Sequence, residues 1–257
     1  MPDLTDAYQR QAAALRERVE RVIRATWGGL PGFRDADVDR WIAQVLPLLQ
    51  AAQGQMASLT DAYLARLAGQ AAAGLDLSAV TGEALRGVDP AEVYRRPAVT
   101  VRTELSRGKP FEAAAAAGLR RALSIATTDL QLAKTHAARA NQRARGVRFF
   151  RRVLTGAEDC ALCVIASTQR YRVGSLSPIH PGCDCGVEDL DVGTDPGQVI
   201  DPALLEQAHE AVTGAGYTAD RSGRAPDYRK LIVTREHGEL GPVIALAGHQ
   251  FTGPGDL

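Results

Sequence analysis

All four cysteines of this 257-residue chain lie between positions 160 and 185. They form the patterns C-A-L-C at 160–163 and H-P-G-C-D-C at 180–185. A CxxC turn brings two thiolates to one side of a tight loop, and a second pair on a returning segment completes a tetrahedron around zinc. The cluster therefore predicts a small domain that is held together by a metal ion.

The cluster offers five candidate ligands for four positions, namely Cys160, Cys163, His180, Cys183 and Cys185. Cys160, Cys163 and Cys185 are the first choices, and His180 competes with Cys183 for the fourth place. If His180 is not a ligand, we expect it to hydrogen-bond a thiolate. Because the ligands suffice to close the coordination shell, the site is predicted to be a structural Zn²⁺ site without catalytic activity.

Other readings of the cluster exist. Two disulfides would also explain four clustered cysteines, but the N-terminal segment has no apolar leader core, and we therefore expect a reducing compartment. A cysteine nucleophile would need fewer cysteines. A deaminase would need an H-x-E motif paired with a P-C-x-x-C motif, and no proline precedes the first cysteine of C-A-L-C. Asp159 and Asp184 are plausible turn residues. A metal-dependent nuclease or hydrolase and a zinc-ribbon DNA-binding module remain the alternatives.

The remainder of the chain is dominated by helical periodicity. Residues 4–27 are amphipathic, a second helix begins near Asp35 with a kink expected at Pro47, and the alanine-rich run from Phe111 to about Gly146 keeps an apolar stripe. From Val147 the pattern changes to a short strand, a helix near 201–213 and a C-terminal hairpin. We predict a mainly α N-terminal domain, a bundle of long helices over 1–146, followed by a small α+β zinc-binding domain over 147–257.

Charge divides the chain at a similar point. Residues 1–157 carry 23 basic and 15 acidic side chains, whereas residues 158–257 carry 7 basic and 15 acidic ones. Seven basic residues and no acidic one fall between Leu130 and Ala157, and such a stretch is either a solvated face, a contact for a partner protein or an unspecific contact for DNA phosphates. The residues are Lys134, Arg139, Arg143, Arg145, Arg148, Arg151 and Arg152.

The cysteine segment resembles a known family. The stretch G-A-E-D-C-A-L-C-V-I-A-S-T-Q-R-Y at 156–171, followed by P-I-H-P-G-C-D-C at 178–185, is similar to the minor head proteins of tailed bacteriophages related to the F protein of phage Mu. The endings E-H-G-E-L-G-P-V at 236–243 and H-Q-F-T-G-P-G-D-L at 249–257 resemble the versions found in phages of actinobacteria. The resemblance covers about 100 residues with specific motifs.

The resemblance implies a structural role without enzymatic activity. Such proteins join the head during assembly, in few copies, near the portal vertex. It implies that the helical domain docks on the portal or major capsid protein and that the chain is found in the host cytoplasm during assembly and in the virion head afterwards. It also implies contact with packaged DNA, for which the sequence offers Arg139, Arg143, Arg145, Arg148, Arg151 and Arg152. No membrane partner is expected.

Overall fold

The computed structural model describes residues 4–72, 74–154, 159–174, 185–190, 195–216, 232–237 and 241–252. These residues fall into two compact units, with the division between Arg145 and Gly146. The first unit is helical and the second combines helices with strands. Each unit is described by itself.

In the part of the chain that the structure describes, the N-terminal unit has four long helices and two short 3-10 turns. The long helices are α1 (Leu4–Gly28), α2 (Asp35–Leu67), α3 (Pro90–Ser106) and α4 (Phe111–Ala144). The 3-10 turns span Leu77–Ala79 and Gly82–Leu85, between α2 and α3. Asp89 caps the start of α3 by accepting a hydrogen bond from the backbone N–H of Ala91 at 2.8 Å, as expected for aspartate before a proline that opens a helix.

The core of this unit lies between the apolar faces of the four helices. Trp27 of α1 and Trp41 of α2 meet edge to face with ring centroids 5.1 Å apart. The indole N–H of Trp27 donates to the carbonyl oxygen of Ala115 on α4 at 3.2 Å, so the ring is satisfied where it is buried. The buried stripe of α4 is mostly alanine, which allows close approach of the neighbouring helices; its members include Ala114, Ala122, Ala126, Leu130, Ala133 and Ala137.

Two prolines lie inside helices. Pro47 sits within α2 and Pro97 within α3, and each helix continues on both sides of its proline. Pro97 is buried, as are Val93 and Val101 of the same helix. Burial of the apolar face thus outweighs the missing backbone donor, which by itself would favour a break.

Gly118 marks the closest packing in the helical unit. A Cβ atom there would lie 2.4 Å from Cγ2 of Val101 and 2.6 Å from Cζ2 of Trp27. Overpacking of this kind costs about 1–3 kcal/mol, which exceeds the roughly 1 kcal/mol that alanine gains over glycine inside a helix. We expect Gly118→Ala to lower the free energy of unfolding by about 1–2 kcal/mol. Urea unfolding followed by tryptophan fluorescence measures this change, because both tryptophans lie in this unit.

A matched control exists on α2. A Cβ at Gly54 would meet only Cδ1 of Leu77 at 3.6 Å, which is an ordinary contact. Gly54→Ala should therefore raise the free energy of unfolding by up to about 1 kcal/mol through helix propensity. Equal effects of the two substitutions would contradict the close packing of Gly118.

The described residues of the C-terminal unit form two short helices and two three-stranded sheets. The helices are α5 (Ala161–Ser167) and α6 (Pro202–Gly214). One sheet has the order β3-β1-β4, from Arg170–Arg172, Phe149–Val153 and Gly186–Leu190. The other has the order β2-β5-β6, from Asp159–Cys160, Ile232–His237 and Gly241–Leu246. All strand pairs are antiparallel.

The fold class predicted from the sequence is confirmed: a mainly helical N-terminal part precedes a small α+β part. The predicted strand after Val147 and the predicted C-terminal hairpin are present as β1 and as the β5–β6 pair. Among the helices of the described ranges, none combines the length and apolarity that crossing a membrane requires.

Candidate metal centre

The first two cysteines lie where β2 passes directly into α5. Cys160 ends β2, whose backbone pairs with β5 in the register Cys160 to Val233. Cys163 lies in the first turn of α5, and Ala161, Cys163 and Val164 of this helix are buried. The CxxC pair is therefore held by a strand and a helix, where the sequence had predicted a tight loop. Its rigid support fixes the separation of the two sulfurs.

The third cysteine comes from a different part of the unit. Cys185 immediately precedes β4, which pairs with β1 in the register Gly186 to Val153. Cys185 and Cys163 pack in one buried cluster, with Leu154 and Cys160 against it. Cys163 and Cys185, which are 22 positions apart along the chain, are thus brought together by the return of the chain onto β1.

Asp159 joins this cluster, contrary to its prediction as a turn residue. It lies on β2, opposite Thr234, and only 2% of its surface is exposed. One ligand atom each from Asp159, Cys163 and Cys185 lies within 4.8 Å of the others. A strand residue beside a CxxC motif gave no sequence signal for this role, because its burial depends on the pairing of β2 with a strand far along the chain.

One of two distances in the cluster fits a tetrahedral zinc site closely, and the other is about 0.4 Å longer than such a site requires. Cys160 lies beside Cys163 but is not part of the group of Asp159, Cys163 and Cys185. Two sulfurs bound to one tetrahedral zinc lie about 3.8 Å apart, and a sulfur and an oxygen about 3.5 Å apart. Here Sγ of Cys160 lies 3.7 Å from Sγ of Cys163, and Sγ of Cys185 lies 3.9 Å from Oδ1 of Asp159. The three cysteines within the described ranges are thiols and form no disulfide. Thiol sulfur and carboxylate oxygen together form a donor set that zinc accepts.

A cation and an aromatic ring lie beside the cluster. Arg152 of β1 is 4% exposed, and its guanidinium carbon lies 5.8 Å from the ring centroid of Tyr171 on β3. Burial raises the pKa of Tyr171; the charge of Arg152 opposes this rise, whereas Cys185 and Cys163 add to it. A buried guanidinium requires compensating negative charge nearby, which a thiolate site supplies.

Two of the predicted ligands, His180 and Cys183, lie outside the described residues, as does Asp184. Both therefore stay predictions, and the choice between them for a further ligand position is open. The described part of the chain brings together Cys160, Cys163 and Cys185 and adds Asp159. With Asp159 included, the candidate ligands number six.

The residues of the basic stretch differ in their exposure. Arg143 on α4 and Arg148 and Arg151 around β1 are exposed, whereas Arg139 and Arg145 are half-buried. Arg152 is buried on β1, so DNA contact through this residue stays a prediction that its burial does not favour. Alternation of side chains along the strand explains why adjacent arginines differ in this way.

Comparisons with known proteins do not extend this description. No protein-family model, no curated protein sequence and no solved structure matches the chain.

Proposed function

We propose that this chain is a structural protein of a tailed-phage head, acting near the portal vertex, and that one zinc ion holds its C-terminal unit together. The observation that carries the zinc proposal is the buried group of Asp159, Cys163 and Cys185, with Cys160 beside Cys163. The head-protein proposal is supported by the resemblance of the motifs at 156–171 and 178–185 to phage minor head proteins.

Zinc accounts for the cluster better than disulfide bonds do. The two sulfurs of the CxxC pair lie at the separation expected for ligands of one ion, and a carboxylate shares the site. A carboxylate has no part in a disulfide, but it is a frequent oxygen ligand of zinc. Three thiolates or carboxylates buried together would repel one another, and a divalent cation removes that repulsion.

The burial of the site favours a structural over a catalytic metal. A catalytic zinc keeps one position open for water and has a general base that substrate can reach. Asp159, Cys163 and Cys185 are each 2% exposed. A cleft of about 670 Å³ lies elsewhere, in the helical unit, where α1 and α2 line it together with Leu77 and Thr81. The metal-dependent nuclease or hydrolase is therefore the weaker proposal.

The head location is tested by mass spectrometry of purified virions and procapsids of the phage that encodes the chain. We expect the chain at low copy number relative to the major capsid protein, because a component of the portal vertex is present at one vertex only. Its absence from both particles would refute the proposed role. Crosslinking within procapsids identifies whether portal or major capsid protein is the neighbour of the helical unit.

A further inference from the structure

Three guanidinium groups surround a single aromatic ring on the sheet formed by β3, β1 and β4. The guanidinium carbons of Arg148, Arg170 and Arg172 lie 5.4, 4.4 and 5.7 Å from the ring centroid of Phe149. The register explains this convergence, since Phe149 pairs with Arg172 and Arg151 pairs with Arg170. Paired residues of neighbouring strands point to the same face, so the register places Arg151, Arg170 and Arg172 on the side of Phe149. Arg148 precedes β1, and the distance of its guanidinium from the ring places it at Phe149 as well.

Two of these arginines are engaged by carboxylates of the same unit. Arg170 contacts Asp195 at 2.9 Å, and the Nε of Arg151 donates to Glu188 at 2.6 Å. Arg148 and Arg172 differ from them, because both are exposed and neither forms an ion pair with any carboxylate in the described part of the chain. Within the described residues, no carboxylate occupies them, and we take their positive charges as a binding group for a ligand from outside.

The ring of Phe149 prepares these two arginines for binding. A guanidinium stacked on an aromatic face loses part of its side-chain freedom before any ligand arrives, and its N–H groups still point outward from the edge of the plane. Those N–H groups match the oxygens of a phosphate in a bidentate arrangement. Phe149 is 3% exposed, so it acts as a buried platform under the guanidiniums and does not itself stack on a base.

We propose that Arg148 and Arg172, stacked on Phe149, form a binding site for the phosphodiester backbone of nucleic acid. The inference deepens the proposed head function and rests on it for the source of the nucleic acid, which is the packaged DNA. The sequence had predicted DNA contact along one continuous basic stretch. The proposed site instead combines Arg148, just before β1, with Arg172 of β3. Arg172 lies outside that stretch altogether.

A nucleic acid fits this site better than an acidic peptide does. Residues 146–257 carry 10 basic and 15 acidic side chains, so the unit as a whole repels polyanions. Exposed arginine–carboxylate pairs gain little free energy, whereas each phosphate contact on a duplex also releases condensed counterions. Of the two ligands, only nucleic acid therefore gains enough binding free energy to offset the repulsion by the net negative charge of the unit. No base-reading group accompanies the arginines, so binding should be independent of sequence.

The test is the salt dependence of DNA binding by the full, zinc-loaded chain. A fluorescently labelled 20-base-pair duplex of arbitrary sequence is titrated at several salt concentrations, starting at low ionic strength. We expect measurable binding by the wild type. We expect R148Q/R172Q to make the slope of log K against log salt less negative by about 1.8, since each lost phosphate contact contributes about 0.9. Affinity at low salt should fall at least about tenfold.

The matched control is R96Q/R120Q, which removes two exposed arginines of the helical unit and changes the net charge equally. Its slope should stay close to that of the wild type. A second variant, R148K/R172K, keeps both charges and should retain most of the slope while binding more weakly, because lysine lacks the planar edge. Thermal unfolding shows whether each variant is folded. If R148Q/R172Q has lost its fold, the salt dependence of R148K/R172K is compared with that of the wild type instead.

Three results would overturn the proposal: no binding of the duplex by the wild type, an unchanged slope in R148Q/R172Q, or equal losses in the two glutamine variants. Displacement of the duplex by poly-glutamate at equal charge concentration would assign the site to an acidic protein partner. Because binding is measured in solution, its failure is distinguishable from absence of the chain from virions, which bears on the head function alone.

Discussion

Substitution of Cys163 by serine should remove the zinc ion and unfold the C-terminal unit while leaving the helical unit folded. Cys163 is 2% exposed and belongs both to the CxxC pair and to the group with Asp159 and Cys185. Binding of a structural zinc ion contributes on the order of 10 kcal/mol to folding, which equals or exceeds the stability of most small domains. Loss of one ligand at the centre of the site therefore has a larger effect than loss of any single apolar side chain.

Three measurements test this prediction. Elemental analysis should return about one zinc per wild-type chain and much less for Cys163→Ser. Hydrogen exchange should become fast in the strands of the C-terminal unit. Tryptophan fluorescence should show an unchanged unfolding transition, because Trp27 and Trp41 belong to α1 and α2.

Val164→Ala is the matched control, since Val164 is the fully buried neighbour of Cys163 on α5. It should cost about 2 kcal/mol through lost apolar burial and leave the zinc content at one. If Cys163→Ser retained stoichiometric zinc, or if both variants behaved alike, a structural zinc ion at this site would be contradicted.

The sequence predicted those features that depend on local periodicity. The stripe on α4 is visible at spacings of three and four, and its residues Ala126, Leu130, Ala133 and Ala137 are buried as expected. β1 was predicted from its aromatic and β-branched residues, which are likewise a local property of the sequence. Such patterns arise from the geometry of one element and need no knowledge of its partners.

Features that depend on pairing between distant segments were not predictable. The burial of Asp159 requires β2 to pair with β5, and the site at Phe149 requires β3 to lie beside β1 in one register. A shift of that register by one residue would move Arg172 to the opposite face. The run of basic residues along the sequence therefore placed Arg148 in one group with the buried Arg152, and it did not include Arg170 and Arg172.

Removal of the Asp129 carboxylate is expected to destabilise the helical unit markedly. Asp129 on α4 is 4% exposed and accepts two hydrogen bonds, from Nε of Arg86 at 2.7 Å and from the hydroxyl of Tyr94 at 2.8 Å. It thus joins α4 to α3 and to the end of the second 3-10 turn. Asp129→Ala leaves the buried hydroxyl of Tyr94 and the partly exposed guanidinium of Arg86 without their acceptor, at a cost of about 2 kcal/mol.

Asp129→Asn should cost less than Asp129→Ala, because the amide oxygen still accepts one of the two hydrogen bonds. The control is Asp39→Ala, which breaks an exposed ion pair with Arg95 and should cost no more than about 1 kcal/mol. Urea unfolding followed by tryptophan fluorescence measures all three variants. Equal losses for Asp39→Ala and Asp129→Ala would show that burial of the Asp129 network has no energetic consequence.

The environment of Asp129 also determines how its contribution to stability depends on pH. Burial raises the pKa of Asp129 above its ordinary value of 3.8, and the opposing effects of Arg86 and Tyr94 do not cancel this rise. The folded chain therefore binds this proton more tightly than the unfolded chain does. We therefore compare the free energy of unfolding of the wild type with that of Asp129→Asn. The advantage of the wild type should be greatest below pH 3.8 and should be lost as pH rises through the raised pKa of Asp129. A difference that grows with pH instead would show that the ion pair with Arg86 outweighs the cost of burying the carboxylate.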